Sequence, residues 1–154
     1  VIVTVATTKG FDALLVVHTL LAIGAFAVLL VLRAAAAAAV HGGELSPAAR
    51  RSFGGRRELA GRVVHLVPLS GVGLLVLSRG AYSLATPFVA VGLGAWAVAA
   101  VSLEGVAFPA QRVVATTLVA GELDTGGARR MLRGTEVAAL AVVLAAVVMV
   151  VGTG

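Results

Sequence analysis

Residues 13–32 read ALLVVHTLLAIGAFAVLLVL, twenty positions without a charge and with one imidazole, His18. An α-helix rises ~1.5 Å per residue and the hydrocarbon core of a bilayer is ~30 Å thick, so the run is just long enough to cross. An ionisable ring inside such a run is costly, which makes His18 the first residue to question.

The rest of the chain is of the same kind. Of 154 residues, 60% are hydrophobic and 12% charged, and the mean hydropathy is +1.07. A water-soluble domain of this size needs a more polar surface. The composition therefore predicts a single integral membrane domain over 1–154. Without cysteine, disulfides, thiolate metal sites and Cys nucleophiles are excluded. The net charge of +5 does not point to nucleic acid, because the arginines gather in two connections between apolar runs, where they act as topology signals. The first ten residues do not read as a cleavable signal: Lys9 is their only cation and the apolar run that follows is too long. Val1 fits either a start codon read literally or a trimmed terminus.

Four spans follow, at about 12–40, 62–79, 87–108 and 135–152. The first begins near Asp12 and continues past Arg33 through six alanines (34–39) to His41 and Gly42-Gly43, protruding by one or two turns. Ser46-Pro47 reads as cap and first position of a short surface helix over 48–53. The second span is short, with Arg62 and Arg79 at its ends, a kink expected at Pro68, and room beside Gly71 and Gly73 for another backbone or a flat ligand. Thr86-Pro87 opens the third span and Pro109 closes it; Ala90, Gly94 and Val98, and separately Ala95 and Ala99, recur at helical spacing. Ala138, Ala141 and Ala145 give the fourth span a small-residue stripe. Ten of the twelve Lys and Arg side chains lie on the side of the two long connections, against Lys9 and Arg79 on the other. Positive charge stays inside, so both termini are expected outside. Gly54-Gly55-Arg56-Arg57-Glu58-Leu59 resembles the stretch from Gly126 to Leu132, as a duplicated hairpin or a repeated anchor would.

Four ionisable groups sit in or at these spans: His18, His65, Glu104 and Glu136. One haem shared by His18 and His65 is not expected, because their depths put the rings on the order of 15 Å apart along the membrane normal. His65, Glu104, Glu136 and Arg62 share a depth and are expected to cluster. Such a cluster is a polar clasp between helices, with a proton or metal site as the sharper alternative. The plain reading of His18 is a ring bonded to a backbone carbonyl or a Ser/Thr on a neighbouring helix. The sharper one is a cofactor ligand near the outer face. His41 reads as a solvated helix end, and Met131 and Met149 are too far apart for a copper relay. No Ser/His/Asp set, phosphate loop or paired intramembrane carboxylates assemble.

His18-Thr19-Leu20-Leu21-Ala22-Ile23-Gly24, the Pro-x-x-Gly of Pro68 to Gly71 continuing Val72-Gly73-Leu74-Leu75, the Arg-rich first loop and Pro109 carry a resemblance. With them the chain resembles an uncharacterised bacterial family of predicted four-helix integral membrane proteins. That family is similar to the copper-resistance D-type membrane domain and the J-type protoporphyrinogen oxidase. The resemblance covers most of the chain and implies His18 as the position of a haem or metal contact. No lysine lies in a span, and the Met and Cys residues of a copper path are missing.

The expectation is an all-α, four-helix transmembrane bundle in a bacterial cytoplasmic (inner) membrane. Its role is that of an accessory or assembly subunit packed on a larger membrane complex, such as a respiratory one, or on further copies of itself. The alternative is a haem- or metal-handling protein with His18 as ligand.

Overall fold

The structure, a computed structural model, describes residues 9–42, 44–54 and 61–152. The duplicated motif's first copy lies largely outside them, as do Val1, Arg56 and Arg57. Every regular element among the described residues is helical. Helix α1 (Lys9–Val40) is followed by α2 (Pro47–Ser52), then by a 3-10 turn (Arg62–His65) leading into α3 (Leu66–Leu77). Helix α4 (Pro87–Ser102) passes through a π turn (Leu103–Ala107) into α5 (Phe108–Val119), and α6 (Thr125–Gly152) returns.

Three stretches are each long and apolar enough to cross a membrane: Lys9–Val40, Pro87–Val119 and Thr125–Gly152. The fourth apolar helical stretch, Arg62–Leu77, is shorter.

Local chemistry explains most of the ends. Gly42, at φ +68°, ends α1 in the left-handed conformation that glycine adopts without strain. Ser46 caps α2 by accepting from the Ala49 N–H, with Pro47 at the first helical position. Thr86 does not cap α4 with its side chain. Its Oγ1 instead accepts from Ser83 N–H at 2.9 Å, which tightens the 79–86 connection.

Two expectations from sequence are corrected, and Pro68 stands where the helical backbone changes type. It falls in the first turn of α3, where the backbone changes from 3-10 to α and a missing N–H is cheap. Pro109 does not close the third helix. Phe108 N–H bonds to Leu103 C=O, the i→i−5 pattern of a π turn, and this wider turn lets the helix pass a ring that would otherwise press on the Gly105 carbonyl. The last helix begins at Thr125, about ten residues earlier than its apolar part, because Asp124 Oδ1 accepts from Gly127 N–H and starts it in the polar stretch.

Helix α6 is central. It packs on α4 and on α1, while α3 lies on the far side of α1 and α5 lies against the first half of α6. The α4–α5 rod and α6 run antiparallel along their whole length, meeting at Phe88 and Gly152, Gly92 and Met149, Ala107 and Gly134, and Val114 and Gly127. Helix α3 runs antiparallel to α1, with Gly61 against Leu32, Gly71 against His18 and Gly73 against Leu14. Lys9 and Gly152 therefore lie at one end of the molecule. Helices α3 and α4 are the outermost members and meet chiefly where the 3-10 turn reaches α4.

Burial divides the molecule into two storeys. Leu29, Leu32, Ala35, Ala36, Ala39, Phe53, Val64, Leu103, Phe108, Val114, Ala128 and Met131 form a closed core at the end away from the termini. Toward the other end packing thins: α3 buries none of its side chains, and α6 buries none beyond Ala141. Lipid tails solvate apolar side chains as well as another helix does, so close burial is required only where the helices leave the hydrocarbon.

Candidate functional site

The boundary between the storeys carries the ionic groups. Glu104, in the π turn, receives Arg62 Nε at 3.4 Å and His65 Nε2 at 3.2 Å on the same oxygen, Oε1. The His65 ring stands edge-on to Trp96, with centroids 6.1 Å apart and planes at 84°. The Trp96 indole N–H is buried and finds no acceptor among the described residues, so the notch between α3 and α4 is short of one acceptor. The cluster is not sealed: the side chains of Arg62 and Glu104 are 47% and 41% exposed.

Glu136 does not join these three. It lies on the opposite flank, where α6 faces α1, and pairs with Arg33, whose Nε and a terminal guanidinium nitrogen approach at 3.2 and 3.1 Å. Glu104 and Glu136 are close in depth, since Ala107 packs on Gly134 three residues below one and two below the other. Depth was legible in the sequence; the helix face was not. Of the four expected partners, three thus form one cluster, and Glu136 pairs separately with Arg33.

His18 stands apart. It is 8% exposed, on α1 facing α3, and its Nδ1 lies 2.9 Å from Ser70 Oγ. The Ser70 hydroxyl has one proton, and it lies 2.8 Å from the Val67 carbonyl and 3.0 Å from that of Leu66. With the proton on Nδ1 the ring donates to Ser70, the hydroxyl passes its own hydrogen to one of these carbonyls, and Nε2 keeps the lone pair; in the other tautomer Ser70 donates to Nδ1. The room beside the glycines is filled by α1: a Cβ at Gly71 would sit 3.5 Å from His18 Cε1, and one at Gly73 2.8 Å from Leu14 Cδ2. His65 precedes Ser70 by five residues, so the two rings differ in height by about 8 Å. That is roughly half the expected offset, and each ring has its own side-chain partner.

Ser70, Trp96 and Arg33 are the members that sequence reasoning missed. Arg33 reads as an end group that snorkels to the interface. Only the small-residue run Ser70-Gly71 opposite a helix with one histidine hints at the His18 contact. Among the described residues no three of His, Asp and Glu converge as a metal ion requires. For haem, His18 supplies one ring nitrogen on the α3 side of α1. Comparison with family models, with curated proteins and with solved structures finds no match.

Proposed function

We propose that this chain is a small polytopic membrane protein that crosses a bacterial cytoplasmic membrane four times, with both termini outside. On this reading it serves as an accessory or assembly subunit for a larger membrane complex. The fourth crossing is Arg62–Leu77. From Gly61 to Gly73 the chain lies along α1 from Leu32 to Leu14, nearly the whole uncharged stretch, which supports a crossing at the same depth. Its turn and helix together reach about 26 Å, close to a hydrocarbon core.

The observation that carries the accessory role is the half-exposed Arg62–His65–Glu104 cluster on the open α3–α4 flank. Ionisable groups at membrane depth normally face protein or a water-filled cavity. Here they border a face of α4 made of Ala90, Gly94, Ala97 and Val101, all exposed, with nothing within 4 Å of a Cβ at Gly94. A helix of another subunit laid on this face would cover the cluster and pack closely. Since the chain lacks cysteine, Gly94→Cys can carry a photo-crosslinker as the sole attachment point. The expected product is one stoichiometric partner polypeptide, with no product from Leu144→Cys on the opposite flank. Equal yields from both positions, or a chain that purifies alone from gently solubilised membranes, would end this reading.

A second reading, a haem- or metal-handling protein, is favoured by the hydrogen bond between His18 Nδ1 and Ser70, which leaves Nε2 as the nitrogen for a ligand. Metal-ligating imidazoles usually donate their other N–H, as Nδ1 is placed to do here to Ser70. An absorption spectrum of the detergent-purified protein tests it: a Soret band lost in His18→Ala supports the reading, and a colourless stoichiometric complex removes it.

A further inference from the structure

We infer that the outward face of α6 is a docking site for an anionic phospholipid, with Arg133, Arg129 and Arg130 holding the headgroup phosphate and Val137, Leu140 and Leu144 bedding an acyl chain. At 100° per residue these six side chains lie within one ~100° sector of the helix, and all six are exposed. Leu140 is 70% exposed, the mark of a side chain turned to lipid. Followed away from the apolar run, the same face changes from Val137 to Arg133 within a single turn, and Arg129 and Arg130 come one turn further.

Their depth fits a headgroup. Glu136 and Arg33 mark the edge of the apolar stretch, and Arg129 lies about 10 Å beyond it, within reach of the interfacial layer for a long side chain. Glu136 would repel a phosphate, but Arg33 neutralises it at 3.1 Å. Of the two carboxylates just before α6, Asp124 is turned to the Gly127 N–H at 2.9 Å and Glu122 is exposed in the α5–α6 connection. Arg129, Arg130 and Arg133 have no ion-pair partner among the described residues. Arginine forks bind phosphate oxygens in pairs, and a juxtamembrane cluster of them favours anionic lipid by about tenfold or less per residue.

The inference rests on α6 crossing a bilayer with its boundary near Glu136. The experiment is native mass spectrometry of the full chain in detergent, titrated with phosphatidylglycerol or with phosphatidylcholine of the same acyl chains. Phosphatidylglycerol is expected to bind at least tenfold more tightly. The triple variant Arg129→Gln/Arg130→Gln/Arg133→Gln is expected to lose at least tenfold for that lipid and nothing for phosphatidylcholine. The triple Lys variant, which keeps the charge, should fall between the two, and Arg133→Gln alone decides should the triple Gln variant not fold. Equal binding of the two lipids, an unaffected Gln variant, or the same loss in Arg50→Gln/Arg51→Gln overturns the site. Displacement of the lipid by millimolar glycerol phosphate would reassign the arginines to a free phosphate anion and overturn the lipid. A chain that stays monodisperse without detergent would instead end the membrane reading itself.

Discussion

The contact between His18 and Ser70 joins α1 to α3 in the thinly packed storey, where few other side chains hold them. Removing the hydroxyl in Ser70→Ala takes away the ring's side-chain partner and leaves it the Val67 backbone, a loss of about 1 kcal/mol. Thermal unfolding in detergent should report it as a lower midpoint. Glu104 behaves differently. Its pairs with Arg62 and His65 are roughly half exposed, and exposed ion pairs contribute at most about 1 kcal/mol. Glu104→Gln should therefore barely move the unfolding midpoint of the isolated chain while reducing the Gly94→Cys cross-link several-fold. A large fall in midpoint would mean that the cluster is a clasp within the chain rather than part of a contact surface.

Among the elements, the α4–α5 rod and α6 set the architecture, and at Gly134 α6 meets the backbone of the rod. A Cβ there would stand 3.0 Å from Ala107 Cβ, Ala107 N and Ser102 O. Two of those atoms are backbone and cannot swing away, so Gly134→Ala should cost about 1–3 kcal/mol by overpacking. Gly94→Ala meets open space and should be neutral or slightly stabilising in the isolated chain, by up to about 1 kcal/mol of helix propensity. Chemical or thermal unfolding of the two variants side by side checks both. Much of this was legible beforehand, since helices and their approximate spans follow from uncharged runs of bilayer length. The course past Pro109 was not, because proline stops an α turn but a π turn absorbs it, and nothing in local sequence distinguishes the two. Small-residue spacing was ambiguous for a related reason. Ala95 and Ala99 are buried while Ala90 and Gly94 face outward, yet both sets show the same period.

For the whole molecule, the four-crossing reading makes a sharp demand on topology. Ser83, between α3 and α4, and Glu122, between α5 and α6, should lie on opposite sides of the membrane. Single-cysteine variants at these positions, treated with an impermeant maleimide, should label outside for Ser83→Cys and only after permeabilisation for Glu122→Cys. Labelling of both from one side would remove α3 as a crossing. The closed storey has its own test: Phe108 is fully buried beside Gly61, and Phe108→Ala should cost about 3–5 kcal/mol, read as protease sensitivity of the arginine-rich segments. Finally, α6 is one unbroken rod from Thr125 to Gly152, about 42 Å long and pinned near Gly134. Such a rod is a lever with unequal arms. If a thinner bilayer leans its long arm by ten degrees, the short arm at Thr125 swings by about 2 Å the other way, so membrane thickness is felt directly on the far side without any joint between.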